Sequence, residues 1–235
     1  MIRELFCFFG FRVQSGPFKG MRYLPATTGS ALPPKLMGVY EKELHPVIFE
    51  WMESGTDLFI DIGAAEGYYA VGMAVRLKAL EVIAFEASSG GRANLRSLCE
   101  ANRVVERVRI RGFGAASDLL PIVESKPDFC LMMDIEGGEY DFFTDELVDK
   151  LRQARLLIEI HGSCRDSDRL FSAVESRFCY THTSSRIYCA QRSVNDLPGF
   201  PWRALGKVFT RLAKSAMDEK RTACPGWLVL APKSP

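Results

Sequence analysis

Five short apolar runs recur along the chain at intervals of about two dozen residues. The segments between them have helical spacing, as in "GRANLRSLCEAN", where Leu95, Leu98 and Cys99 share one face. Strands that alternate with helices at this spacing predict right-handed βαβ units and a parallel sheet. The five predicted strands are "DLFID" (57–61), "EVIAFE" (81–86), "RVRIRGF" (107–113), "DFCLMMD" (128–134) and "RLLIEI" (155–160).

The predicted strands differ in their polarity. Residues 128–134 and 155–160 are almost continuously apolar, as expected of central strands covered on both faces, whereas 107–113 alternates arginine with apolar residues, which is typical of a sheet edge. A further helix is expected at 166–178, and two more strands at 186–190 and 226–232. The fold class predicted is therefore α/β, with a doubly wound, Rossmann-like and mostly parallel sheet.

Two segments, one near each end of the chain, differ from this predicted core in amino-acid composition. Residues 1–45 are rich in Gly and Pro and predict an N-terminal arm or cap on a domain formed by residues 46–235. Residues 202–221 form a basic amphipathic stretch, which places Arg203, Lys207, Arg211 and Lys214 opposite Leu205, Val208, Phe209 and Leu212. Such a helix binds a membrane or RNA in some proteins, but more often it is a solvated face that covers a core.

The composition of the chain indicates which partners and which cellular compartment to expect. The chain has 235 residues and a formal net charge of +1, so no overall basic field predicts a nucleic-acid or membrane partner. Seven scattered cysteines without a Cys-x-x-Cys pair exclude the usual zinc spacing and predict a reduced, cytoplasmic protein. The apolar run at residues 5–11 is far shorter than a membrane span requires, so no span is expected.

A glycine turn follows the first predicted strand, in "FIDIGAAEGYY". Small residues there let a ligand approach the backbone, and Glu86, at the end of the next strand, can accept both hydroxyl groups of a ribose. A dinucleotide turn would need a second glycine for the pyrophosphate, and Asp61 and Glu66 disfavour an anion. The turn therefore favours S-adenosylmethionine, whose sulfonium and ammonium groups are cationic.

Four segments in order resemble the motifs of class I S-adenosylmethionine-dependent methyltransferases, specifically of the FkbM-like family. They are "DLFIDIGAAEGYYAVGMA", "VIAFEAS", "DFCLMMDIEGGEYDFF" and "ARLLIEIHG", and the match covers about residues 55–165. The resemblance implies a seven-stranded sheet of five parallel strands and a C-terminal antiparallel hairpin. It also implies a cofactor site in which Glu86 binds the ribose, Ala116 and Asp118 lie near the adenine, and the methionine end contacts Asp61, Gly63, Ala64, Glu66 and Gly67. Many relatives have Asn at the position of Glu66.

A polar cluster is expected at the ends of the fourth and fifth strands. Adjacent parallel strands would bring Asp134, Glu159 and His161 to one sheet edge, beside the transferred methyl group. Asp134 and His161 are the candidates for base and substrate alignment, with Glu159 orienting one of them. Alternatively, Asp134 caps a turn, Glu159 pairs with Arg155 and His161 is structural. No metal-ligand set is predicted, although Mg²⁺ or Mn²⁺ would suit one histidine with carboxylates loosely.

The sequence thus predicts a methyltransferase that methylates a hydroxyl group of a sugar or other small molecule. A nicotinamide-dependent dehydrogenase shares the sheet and the ribose acid but needs the missing glycine. A nucleic-acid methyltransferase would need an accessory binding domain or an Asn/Asp-Pro-Pro-aromatic turn after the fourth strand, and residues 134–139 read "DIEGGE" instead. A non-catalytic cofactor-binding subunit that presents its basic helix to a partner stays open. The acceptor and the oligomeric state are not predictable from the sequence.

Overall fold

A computed structural model describes residues 10–25, 27–162, 166–199, 202–208, 210–219 and 226–233. Most of the apolar run at 5–11 lies outside these residues. Phe209, the end of the basic stretch and the side chains of residues 205, 208 and 212 also lie outside them.

Seven strands form one sheet in the order β3-β2-β1-β4-β5-β7-β6. Neighbouring strands from β3 to β5 are parallel, and β7 is antiparallel to both β5 and β6, so β7 alone runs in the opposite direction. The predicted Rossmann-like, mostly parallel sheet is confirmed. The strands are β1 (Leu58–Ile62), β2 (Glu81–Phe85), β3 (Val108–Arg111), β4 (Cys130–Met133), β5 (Arg155–Ile160), β6 (His182–Tyr188) and β7 (Gly226–Pro232).

Helices cover both faces of the sheet, and within the described residues there are ten α-helices. They are α1 (Leu32–Met37), α2 (His45–Glu53), α3 (Tyr68–Arg76), α4 (Ser89–Asn102), α5 (Ala116–Ser125), α6 (Glu139–Phe142), α7 (Asp145–Lys150), α8 (Ser167–Phe178), α9 (Trp202–Val208) and α10 (Thr210–Met217). Short 3-10 helices lie at Lys42–Leu44, Val105–Arg107 and Val194–Asp196.

The polarity of each strand matches its place in the sheet. Every residue of the central strands β1 and β4 is buried, because helices pack on both faces of these strands. The predicted edge strand, β3, does lie at one edge and exposes Arg109 and Arg111. The other edge strand, β6, begins four residues earlier than predicted, because its "HTSS" start is too polar to be recognised as a strand.

The described part of the N-terminal arm packs into the main core. Phe18, Met21 and Leu36 are completely buried in the same apolar cluster as Phe59 of β1. Gly72 of α3 makes this packing possible, because a Cβ atom there would lie 2.5 Å from the ring of Phe18. The arm therefore covers one face of the helix that follows the glycine turn.

Part of the basic stretch forms α9 and α10. Trp202, Ala216 and Met217 are buried in the core, whereas Arg211 and Lys214 are exposed. These two helices therefore cover a core with one face and present lysine and arginine to solvent. Among the described residues, no helix combines the length and the apolarity that a membrane crossing needs.

Candidate active site

A cavity of about 520 Å³ lies at the carboxyl ends of the central strands. The turn after β1, the end of β2 and the segments after β4 and β5 form its floor, and the N-terminal arm forms a wall through residues 28–30, 35, 40 and 41. Ligands bind at this edge of open parallel sheets because the strand order reverses there. Here the reversal lies between β1 and β4.

The two glycines of the turn are required by packing. Gly63 has a φ of +87°, and a Cβ atom there would lie 1.6 Å from the carbonyl oxygen of Asp134. Gly67, with a φ of +93°, would clash with Leu95 of α4 in the same way. Gly63 and Ala64 line the cavity and Gly67 does not. The two glycines thus allow the turn to pack closely against other parts of the protein. The close approach of the turn to the end of β4 brings Asp134 beside the cavity.

Glu86 lies at the end of β2, at the cavity wall. Its carboxylate accepts hydrogen bonds from the backbone N–H groups of Ala65 (2.8 Å) and Ser88 (2.7 Å). Gly91 leaves space for this side chain, since a Cβ atom there would lie 2.8 Å from it. Two backbone donors therefore fix the orientation of the carboxylate that was predicted to bind a ribose.

Asp61 is buried at the end of β1 and lines the cavity. One carboxylate oxygen accepts a hydrogen bond from the backbone N–H of Ala70, 3.0 Å away. Burial, reinforced by the negative charges of Asp134, Glu86 and Glu41, nevertheless raises the pKa of Asp61 to about 7. A cationic ligand at this position would favour the ionised form of Asp61.

Glu66, which was predicted to contact the cofactor, does not line the cavity. It is completely buried and binds Lys35, Tyr23 and the backbone N–H of Thr28, at 2.5, 2.5 and 2.9 Å. Burial alone would raise the pKa of Glu66, but Lys35 and these hydrogen bonds outweigh it and lower the pKa. Glu66 therefore fixes the N-terminal arm to the turn.

Ala116 and Asp118 also lie outside the cavity lining. Asp118 accepts a hydrogen bond from the backbone N–H of Ala115, 2.9 Å away, at the start of α5. Phe113 and Gly114, which precede that helix, line the cavity instead. The adenine contacts of Ala116 and Asp118 stay a prediction, and the residues that line the cavity at this point belong to the loop before α5.

The polar cluster at the ends of β4 and β5 assembles as predicted. Nε2 of His161 lies 3.5 Å from Oδ1 of Asp134 and 4.0 Å from Oε1 of Glu159. Arg155, the alternative partner of Glu159, bonds to Asp128 at 2.6 Å. Asp134, Glu159 and His161 all line the cavity, so the acidic and basic groups face one space.

Glu139 contacts the imidazole of His161 at Nδ1, the ring nitrogen opposite the one that faces Asp134. Its Oε1 lies 2.8 Å from Nδ1 of His161, and Glu139 is itself buried. Burial disfavours the imidazolium ion, but Glu139, Asp134 and Glu136 outweigh it and raise the pKa of His161. Glu139 thereby directs Nε2 of His161 towards Asp134 and Glu136.

The same residues could hold a divalent cation. Asp134, Glu136 and His161 form a group among the described residues whose ligand atoms all lie within 4.8 Å of one another. A carboxylate on the distal nitrogen of a ligating histidine, as Glu139 is here, commonly supports such a site. The Mg²⁺ or Mn²⁺ considered from the sequence stays a prediction.

Several cavity residues were not among the predicted site residues. Glu41 and Tyr68 line the cavity, as does Glu219, which Arg192 joins to Glu43 in a buried ion-pair network. The hydroxyl group of Tyr68 is buried, and no described residue offers it a hydrogen-bond partner. From the sequence alone, a helix surface is expected for Glu41 and core packing for Tyr68, with contact to the cofactor as the alternative for each.

Acidic side chains dominate the cavity. Its described lining has two basic side chains, Lys35 and His161, and each already contacts a carboxylate, that of Glu66 and Glu139 respectively. Such a cavity favours a cationic ligand and disfavours a pyrophosphate. The acids are Glu41, Asp61, Glu86, Asp134, Glu136, Glu159 and Glu219.

Solved structures share the fold of this chain. The chain is similar to a candidate O-methyltransferase from Klebsiella pneumoniae, with 13% identity, a TM-score of 0.50 and coverage of 83% of this chain and 81% of that one. It is also similar to the human methyltransferase 10 domain containing protein, with 11% identity, a TM-score of 0.52 and coverage of 98% and 94%. The chain has the class I methyltransferase fold. No protein-family model and no curated protein sequence matches it.

Within the class I methyltransferase fold, the cavity lies at the sheet edge where the sequence predicted the cofactor. Asp61, Gly63, Ala64 and Glu86 line one part of it, and Asp134, Glu159 and His161 line another. The similarity is at the level of the fold, and the FkbM-like resemblance stays a prediction.

Proposed function

We propose that this chain is an S-adenosylmethionine-dependent methyltransferase that methylates a hydroxyl oxygen of a sugar or other small molecule. The observation that carries the proposal is that the predicted cofactor-binding and catalytic residues line one cavity. Asp61 and Glu86 lie on either side of the glycine turn, and Asp134 and His161 line the same space. When bound, the cofactor supplies an electrophilic methyl carbon on a cationic sulfur. The acidic lining favours that cation over the anionic pyrophosphate of a dinucleotide.

The cofactor-binding residues differ in their tasks. The carboxylate of Glu86, fixed by two backbone N–H groups, can accept hydrogen bonds from ribose hydroxyls through its remaining lone pairs. Asp61 places negative charge at the end of β1, near the turn. Phe113 offers an aromatic surface at the cavity wall, next to the expected adenine. These groups select a cationic adenosine derivative.

His161 and Asp134 act on the acceptor. Nε2 of His161 can take the hydroxyl proton as the oxygen bonds to the methyl carbon and the bond from methyl to sulfur breaks. Asp134 lies 3.5 Å from that nitrogen and stabilises the imidazolium ion that results. Glu139 holds the ring in the orientation that this transfer needs, and S-adenosylhomocysteine and the methyl ether are the products.

Calorimetric titration tests the cofactor part of the proposal. We expect S-adenosylhomocysteine to bind the wild-type protein with micromolar affinity and NAD⁺ not to bind. Glu86→Ala should lower the affinity for S-adenosylhomocysteine about tenfold or more, because a charged hydrogen-bond acceptor with a fixed orientation is lost. Glu124→Ala, which removes an exposed acid outside the cavity, is the control. Binding of NAD⁺ alone would favour a dehydrogenase, and binding of neither ligand would contradict the proposal.

Methyl transfer tests the chemical part. Labelled S-adenosylmethionine is incubated with hydroxylated small molecules, and labelled product is measured for wild type, Asp134→Asn and His161→Gln. We expect each variant to lose about 100-fold or more in rate while it still binds S-adenosylhomocysteine. A parallel series with EDTA and with Mn²⁺ decides whether the Asp134, Glu136 and His161 group needs a cation. Cofactor binding without transfer to any acceptor would favour the non-catalytic subunit.

A further inference from the structure

Glu41 lies outside the sheet and is unusual both in its burial and in its backbone conformation. Only 1% of its surface is exposed, and it lines the cavity beside the turn that follows β1. Its backbone has a φ of 44° and a ψ of 48°, a left-handed conformation that non-glycine residues seldom adopt. Burying a carboxylate in a strained segment costs free energy, so its place at the cavity requires an explanation.

Three contacts hold this segment in place. The hydroxyl group of Tyr69 donates a hydrogen bond to the Glu41 carboxylate. The backbone N–H of Glu41 donates to Glu219 at 3.1 Å, and its carbonyl accepts from the N–H of Leu44 at 2.8 Å. Glu219 in turn binds Arg192, so the far end of the chain helps to fix Glu41. The carboxylate is therefore presented to the cavity by a rigid frame.

Neighbouring groups indicate what this part of the cavity would accept. Asp61 shares the cavity and is close enough for the charge of Glu41 to contribute to its raised pKa. The buried hydroxyl of Tyr68, without a hydrogen-bond partner among the described residues, also lines this space, and Lys35 lies 5.5 Å from the centre of the Tyr68 ring. Two carboxylates suit an ammonium group, and a hydroxyl donor suits a carboxylate.

We propose that Glu41 of the N-terminal arm binds the ammonium group of the cofactor's amino-acid part, together with Asp61. This inference rests on the proposed function, since it assigns one end of the same cofactor. It makes the arm a part of the cofactor site, although the resemblance to the FkbM-like family begins only at about residue 55. Tyr68 then donates its hydrogen bond to the carboxylate of that amino-acid group.

The test compares two ligands that differ only in the ammonium group. S-adenosylhomocysteine and its analogue without the amino group are titrated by calorimetry into wild type and Glu41→Gln. We expect Glu41→Gln to weaken S-adenosylhomocysteine about tenfold and to leave the deamino analogue unchanged, because only the first ligand loses a charge-assisted hydrogen bond. Glu50→Gln, which neutralises an exposed acid of α2, should change neither affinity.

Other outcomes separate this inference from the proposed function. Equal weakening of both ligands would show that Glu41 only shapes the arm, and unchanged binding would show that it makes no contact; either result overturns the inference. If wild type binds neither ligand, the proposed function itself fails. Should Glu41→Gln not fold, Glu41→Asp keeps the charge but withdraws it by one methylene. Glu41→Asp must then lower the affinity for S-adenosylhomocysteine at least threefold and leave the affinity for the deamino analogue unchanged.

Discussion

The ammonium group of Lys35 lies 2.5 Å from the carboxylate of Glu66, and both side chains are almost completely buried. Lys35 belongs to α1 in the N-terminal arm, and Glu66 belongs to the turn after β1. Tyr23 and the backbone of Thr28, also in the arm, bond to the same carboxylate. One ion pair therefore joins the arm to the turn that lines the cavity.

Breaking this pair should destabilise the fold. We expect Lys35→Met to lower the free energy of unfolding by about 3 to 5 kcal/mol, because it leaves the Glu66 charge buried without its cation. Glu66→Gln in the same background should restore much of the loss, since no unpaired charge remains. Urea denaturation of the two single variants and the double variant measures this. A double variant no more stable than Lys35→Met would contradict the prediction.

Activity should rise with pH as His161 loses its proton. The pKa of His161 is raised above its ordinary value of 6.5 by Glu139, Asp134 and Glu136, and a base must be neutral to accept a proton. We therefore expect kcat/KM to increase through the raised pKa. The proton itself stabilises the folded state, a contribution that is complete below about pH 6.5 and lost above the raised pKa. NMR titration of the His161 ring locates that pKa.

Glu139→Gln provides the matched variant for the pH profile. It keeps a hydrogen-bond acceptor for Nδ1 of His161 but removes a negative charge. The midpoint of both the NMR titration and the activity profile should move to lower pH, by about one unit or less. A variant that loses activity at every pH, with an unmoved midpoint, would instead assign Glu139 a purely structural role.

Asp61→Asn should change how stability depends on pH. The pKa of Asp61 is about 7 in the folded state, against an ordinary value of 3.8, so the folded state binds more protons between these values. Its contribution to stability therefore falls as pH rises from about 4 to about 7. We expect Asp61→Asn to be more stable than wild type at pH 8, by roughly 2 kcal/mol, and similar at pH 4.

Urea denaturation at the two pH values checks this expectation. The exposed Asp57, replaced in the same way, serves as the control and should leave the slope unchanged. The Asp61→Asn variant should also bind S-adenosylhomocysteine more weakly, so that stability and affinity change in opposite directions. An equal loss of stability at both pH values would mean that Asp61 acts mainly through its bond to Ala70.

Gly63→Ala should disrupt the fold itself. The added Cβ atom would overlap the carbonyl oxygen of Asp134 and require a φ of +87° from alanine. We expect a loss of about 3 kcal/mol or more, or no folded protein. Gly112→Ala is the control, because nothing lies within 4 Å of its Cβ position. Thermal unfolding by circular dichroism compares the two, and similar melting temperatures would contradict the packing role of Gly63.

Local patterns in the sequence determined the sheet and the chemistry at its edge. Runs of apolar residues predicted β1 to β5, and the alternation in residues 107–113 predicted the edge position of β3, because burial on one or both faces controls which residues a strand can contain. Parallel strands share one carboxyl edge, so the meeting of Asp134 with Glu159 and His161 also followed from the sequence.

Only the tertiary structure decided which side chains enter the cavity. Glu66 follows the same glycine as Ala64 and Ala65, yet its side chain turns away to Lys35, which is 31 residues distant in the chain. Glu41 and Glu219 line the cavity from segments outside the four motifs, and Glu139, which does not line the cavity, contacts His161 from within one of them. The direction of a side chain in a turn and the partner of a buried charge depend on contacts between distant segments, and spacing along one chain does not encode them.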